Sequence, residues 1–119
     1  MKVIIAGGRD FNNYQLLEDT MKSLNLDIDT IVCGCAKGAD SLGRDWARNH
    51  QIPVVVEFPA EWEFYGRAAG PIRNHKMGDY ADFLVAFWDG QSHGTKDMIE
   101  YMKSLGKHGK VVLYSNGTK

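Results

Sequence analysis

Lys2-Val3-Ile4-Ile5-Ala6-Gly7-Gly8-Arg9-Asp10-Phe11, near the start of the chain, carries the signal from which the architecture follows. Val3 to Ala6 are apolar without alternation, the pattern of a short strand buried on both faces, as in parallel sheets. The Gly7-Gly8 pair ends that strand in a tight turn. Tyr14 to Leu24 follows, with Leu17, Met21 and Leu24 at i, i+4 and i+7 on one helical face. A strand turning through glycines into an amphipathic helix is the first half of a βαβ unit.

Working outward, the unit repeats. Asp29 to Cys33 reads as a second strand, and Asp40 to His50 as a helix that groups Leu42, Trp46 and Ala47. Pro53 to Phe58 is a third strand, whose Val54-Val55-Val56 run predicts burial on both faces. Pro59 to Gly70 breaks the rhythm: it is aromatic-rich (Trp62, Phe64, Tyr65) and reads as a long loop of the functional kind. Pro71 suits a first helical position and opens a helix to about Tyr80. Asp82 to Trp88 is a fourth strand, with Asp82 a structural acid at its start. A helix from about Thr95 carries Met98, Met102 and Leu105, and Lys110 to Tyr114 is a fifth strand. The alternation predicts one doubly wound α/β domain over residues 1–119, with about five mainly parallel strands and helices on both faces.

Composition agrees. The chain has 119 residues, 44% apolar and 24% charged, values ordinary for one globular domain. Its longest apolar run, Phe83 to Trp88, is too short to span a membrane. The apolar stretch Val3 to Ala6 is too short for a signal peptide, so a cytoplasmic protein without membrane association is expected. A net charge of −1 lacks the basic excess with which proteins grip duplex nucleic acid. Cys33 and Cys35 are spaced C-x-C, which matches neither a C-x-x-C redox pair nor a paired zinc site, so two buried thiols and no metal are expected.

In doubly wound sheets ligands lie beyond the carboxyl ends of the strands, where strand order reverses. Three glycine loops fall there: Gly7-Gly8-Arg9-Asp10-Phe11, Gly34-Cys35-Ala36-Lys37-Gly38-Ala39-Asp40 and Asp89-Gly90-Gln91-Ser92-His93-Gly94-Thr95. Each precedes a helix N-terminus, and Arg9 and Lys37 add positive charge, a combination that suits a phosphate-bearing small molecule. One loop alone would be a geometric turn; three at one edge favour a ligand. Neither the G-x-G-x-x-G fingerprint nor the Walker motif is present, and no cofactor is assigned. Arg73 lies in the first turn after Gly70-Pro71, where the helix dipole disfavours a cation unless an anion meets it. Met77, four residues on, reads as core. Trp62, Phe64 and Tyr65 have two readings, core or lid packing and stacking on a base. His93 either donates to a phosphate or is simply exposed, and His75 has no assigned role.

Taken with Phe58-Pro59-Ala60, Trp62, Ala69-Gly70-Pro71-Ile72-Arg73-Asn74, Met77, Ala81-Asp82 and Gly94-Thr95, these motifs resemble the YspA-like branch of the SLOG superfamily from Met1 to about Tyr114. The resemblance implies a Rossmann-like fold shared with DprA/Smf and with the cytokinin-activating phosphoribohydrolases. It also implies a nucleotide or nucleotide-derived ligand at the loop edge. Those hydrolases carry an Arg-Lys pair, then Pro-Gly-Gly-x-Gly-Thr-x-x-Glu. Here Arg73 matches the Arg, Asn74 replaces the Lys, and Met98 falls where the catalytic Glu would stand. A thioether cannot orient water or steady an oxocarbenium-like charge, so Asp97, Asp89 and Asp10 are the candidate carboxylates. Glu100 lies nearby.

Three functions compete. The first is a module that binds a nucleotide-type ligand without turning it over, through Gly7, Gly8, Arg9, Lys37, Gly38, Asp40, Trp62, Arg73, Asn74, Gly90, Ser92, Gly94 and Thr95. The second is a nucleosidase or phosphoribohydrolase cleaving an N-glycosidic bond, with Asp10, Asp89, Asp97 and Arg73 as candidate catalytic residues. The third is single-stranded DNA binding in the manner of DprA, through Arg9, Lys37, Arg67, Arg73 and Lys76. A site on so small a domain is shallow, so a homo-oligomer is expected to complete it.

Overall fold

The computed structural model describes residues 1–34 and 38–115. Among them β1 (Lys2–Gly7), β2 (Thr30–Cys33), β3 (Val54–Glu57), β4 (Phe83–Trp88) and β5 (His108–Leu113) form one parallel sheet in the order β3-β2-β1-β4-β5. The chain starts in the middle, winds outward to β3, then returns to place β4 beside β1. Strand order therefore reverses between β1 and β4. The register Val3↔Phe83 through Gly7↔Phe87 ends both strands level, so their loops leave from one edge.

Parallel neighbours require crossovers, supplied by α1 (Tyr14–Leu24), α2 (Ala39–Asn49), α4 (Ala69–Tyr80) and α5 (His93–Ser104). The unbroken apolar runs are explained by the two layers these helices make. Val3 and Ile5 of β1, with Val85 and Phe87 of β4, pack against Leu17 and Met21 of α1 and Trp46 and Ala47 of α2. Ile4, Ala6, Leu84 and Ala86 point the other way, onto Met77 of α4 and Met98, Ile99 and Met102 of α5. Each Val, Leu, Ile, Phe or Met among them contributes roughly 1.5–3 kcal/mol on burial, and each Ala less. Asn13 caps α1 by accepting the Leu16 N–H at 3.0 Å, and Asn25 ends it in the left-handed region at φ 50°. Cys33 is a buried thiol on β2, while Cys35 lies outside the described residues. Asp82 is structural in the sense expected, accepting the Lys2 N–H at 2.8 Å.

Three local expectations are corrected. β3 is not buried on both faces: it is an edge strand, with Val54 44% and Val55 40% exposed. Composition reports what a strand is made of, whereas its place in the sheet order decides how much of it is covered. The segment from Pro59 to Gly70 is not an open loop. It contains the single helical turn α3 (Trp62–Tyr65) and a 3₁₀ turn (Gly66–Ala68) that runs into α4. Helix α4 accordingly starts at Ala69, two residues before Pro71. Pro71 is tolerated because N–H groups of a first turn have no intrahelical partner to lose.

Candidate functional site

At the β1–β4 reversal a cleft of about 750 Å³ opens over the carboxyl ends of the strands. The first loop contributes Gly7, Gly8, Arg9 and Asp10, and α2 contributes Asp40. Trp62, Gly70, Pro71, Arg73, Asn74 and Met77 come from α3 and α4. The last wall is Asp89 with Ser92, His93, Gly94, Thr95, Asp97 and Met98. Thirteen chain positions singled out from sequence thus meet in one concavity: Gly7, Gly8, Arg9, Asp10, Asp40, Trp62, Arg73, Asn74, Asp89, Ser92, Gly94, Thr95 and Asp97. Gly38 and Gly90 do not line it, and Lys37 lies outside the described residues. Gly38 is instead the N-cap of α2, at φ 73°, packed against the first loop. Gly70 and Pro71, quoted with Arg73, and His93, left between a phosphate donor and an exposed side chain, line the cleft as well; Ala6 was not expected there, and its place just before the first glycine loop is the signal that would have found it.

The N-terminus of α5 forms the positive end of the cleft. The helical ladder begins where the Lys96 N–H meets the Ser92 carbonyl at 3.1 Å, which leaves the N–H groups of the preceding turn pointing outward. Ser92 makes no side-chain capping bond, and the first turn holds no acid. Asp89 shapes the approach by accepting the Ser92 and Gln91 N–H groups, each at 2.8 Å. Those bonds hold its carboxyl below the usual carboxylate range, the Ser92 bond most. A methyl group on Gly94 would meet nothing within 4 Å, so the space over that turn is open.

Arg73 is fixed rather than free-swinging. Its Nη1 donates to the Gly34 carbonyl and its Nε to Asn74 Oδ1 at 3.1 Å. A methyl at Gly34 would overlap Arg73 Nη1 and lie 3.0 Å from Asp40 Oδ2, so both side chains converge on that glycine. Asn74 is buried, and its Nδ2 donates to the Gly94 carbonyl at 3.0 Å and to Asp97 Oδ2 at 3.2 Å. The residue in the position of the hydrolases' Lys therefore ties α4 to the first turn of α5. Gly8, one of the expected ligand-binding residues, gives its N–H to the Phe87 carbonyl at 3.2 Å. Its contribution to the cleft is surface, not a free donor.

Asp10, Asp40, Asp89 and Asp97 face the same space. Asp97 also lies 3.5 Å from His75 Nε2, and His75 stacks on Tyr101 with centroids 3.9 Å apart. Met98 is buried in the α4–α5 layer. Trp62 is half-exposed at the rim while Phe64, 82% exposed, points away into solvent. No cluster able to hold a metal ion occurs among the described residues, and none of their helices is long and apolar enough to cross a membrane.

Comparison with known proteins agrees with this geometry. Residues 1–65, which carry the first two glycine loops and Trp62, match the family described as YspA, cpYpsA-related SLOG. Over 114 residues the chain is 36% identical to the gene 61 protein of Mycobacterium phage D29, an alignment covering 88% of this chain and 90% of that protein. With the Rossmann-like sheet and its loop-edge cleft, these matches make the chain a member of the YspA, cpYpsA-related SLOG family.

Proposed function

We propose that the protein binds a nucleotide or nucleotide-derived small molecule in this cleft, as a sensor or sequestering module. The observation that carries the reading is the open first turn of α5, with Gly94 uncovered, set beside the fixed guanidinium of Arg73 and the cleft-lining Arg9. A phosphate there receives backbone N–H donors and a helix dipole. The carboxylates Asp10 and Asp40 are acceptors suited to ribose hydroxyls or a base amino group, and Trp62 offers a face for the base. The four acids along the same walls argue against a track for a nucleic-acid backbone. Lys76, one of the cations such a track would use, pairs with Glu61 at 3.7 Å.

A second reading, hydrolysis of an N-glycosidic bond, is favoured by one observation: Asp97 brings a carboxylate to the cleft one residue before Met98, and Asn74 orients it. We further propose a homo-oligomer, for which the exposed Val54 and Val55 edge and Phe64 provide apolar surface. Mass spectrometry of small molecules released from denatured protein, with thermal-shift screening of nucleosides and nucleotides, tests the binding reading. A co-purified intact nucleotide supports a sensor, free base and ribose phosphate appearing with time support a hydrolase, and no shift with any nucleotide refutes both. Arg73→Ala should lose well over 1 kcal/mol of affinity for the nucleotide that binds, read by calorimetry.

A further inference from the structure

We infer that Tyr114, just past β5, is a positioning residue for the cleft: its phenol latches the first glycine loop and orients Asp10 within it. This inference rests on the binding reading of the cleft for its effect on affinity, but the latch itself does not. Tyr114 lies at the far edge of the sheet, beyond β4 from the loop it reaches. Its backbone N–H donates to the Trp88 carbonyl at 3.0 Å, which continues the β4–β5 pairing and aims the side chain back across β4. The ring then packs edge-on against Phe11, centroids 4.9 Å apart, and Phe11 stacks on Phe87 of β4 at 4.5 Å.

The hydroxyl reaches the loop at two points. It donates to Asp10 Oδ1 at 2.5 Å, and a methyl on Gly8 would overlap it. Gly8 is thus the residue over which the phenol passes to reach Asp10, and any side chain there would displace it. The same turn is closed by the Phe11 N–H on the Gly8 carbonyl at 3.2 Å, an oxygen that also receives the Ala39 N–H of α2 at 3.2 Å. One phenol therefore fixes a loop on which the α2 N-terminus rests, and it holds one carboxylate oxygen of a cleft-lining acid. Tyr114 itself does not line the cleft, so it acts through Asp10 and the loop backbone. Burial and the Asp10 carboxylate both push its phenol above the ordinary range, which keeps it a donor throughout the working pH range.

The test is Tyr114→Phe, which keeps the ring on Phe11 and removes only the hydroxyl. In the ligand-free full chain, amide hydrogen exchange at Gly8 and Phe11 should accelerate roughly tenfold, the size of one hydrogen bond to a charged group, while Ile5 in β1 stays unchanged. Unchanged exchange at Gly8 and Phe11 overturns the latch. The affinity arm uses adenosine 5′-monophosphate and ADP-ribose as probes in a cycle of Tyr114→Phe, Asp10→Asn and the double variant. Action through Asp10 predicts weaker binding for Tyr114→Phe with little change in Tm, and no further loss when it is added to Asp10→Asn. Independent, multiplying losses, or a lower Tm with unchanged Kd, overturn the positioning role. If the wild type binds neither probe, the nucleotide reading of the cleft fails for them, while the exchange measurement still decides the latch.

Discussion

Helices α2 and α5 both begin at the cleft, both directly after a glycine turn, and neither has a side-chain N-cap, yet their first turns differ. In α2 the first turn carries Asp40, buried at 6% exposure, and Gly38 before it is pressed against the backbone of the first loop. In α5 the first turn carries no acid, and Gly94 faces open space. One dipole end is met by the protein's own carboxylate; the other is left for something else. Glycines alone therefore do not tell the two ends apart; what the fold places in and over each first turn does.

The largest expected effect comes from breaking the closed end. A methyl at Gly38 would strike the Gly8 carbonyl oxygen and lie 2.6 Å from the Arg9 carbonyl carbon, at a φ that side chains rarely adopt. Gly38→Ala should cost about 2 kcal/mol or more in urea unfolding. The same substitution at Gly94 should change stability by less than about 1 kcal/mol, in either direction. Equal losses at the two glycines would erase the distinction between the ends.

Making the open end resemble the closed one is the next test. Gly94→Asp places a carboxylate in the first turn of α5, where it should stabilise the helix by a few tenths of a kcal/mol and exclude a ligand phosphate. Affinity for the phosphorylated ligand should fall by about 2 kcal/mol, roughly 30-fold, in titration calorimetry. An unchanged Kd would move the phosphate away from α5.

The smallest effect concerns Asp89, whose carboxyl is held below its unfolded value of about 3.9 by the Ser92 and Gln91 N–H groups. Its contribution is complete above that pH and is lost as pH falls through the lowered folded value. Asp89→Ala should therefore lower Tm at neutral pH and converge with wild type in strong acid. Parallel Tm–pH curves would show that the loop does not depend on that carboxylate.

The strands, the main helices and the sheet edge at which the cleft opens were all readable from the sequence. Apolar runs such as Val3–Ala6 and Phe83–Trp88 demand cover on both sides, and the Leu17–Met21 spacing supplies one such cover. Those signals are local, so they are readable without a fold. Most of the residues picked for the cleft were legible for the same reason, since glycine turns and helix starts mark themselves within a few residues.

Tertiary structure decided what depends on partners distant in the chain. Only sheet order makes β3 an exposed edge, although its Val54–Val56 run is as apolar as β1. Only the packing of α4 on α5 shows that Asn74 bridges to Gly94 and Asp97, and only the β1–β4 pairing shows that the Gly8 N–H belongs to Phe87. The bond from Tyr114 to Asp10 joins residues 104 apart, a separation at which no pattern of neighbours carries information. Hydrophobic periodicity reports which groups must leave water; which polar groups then meet is settled by how the layers close.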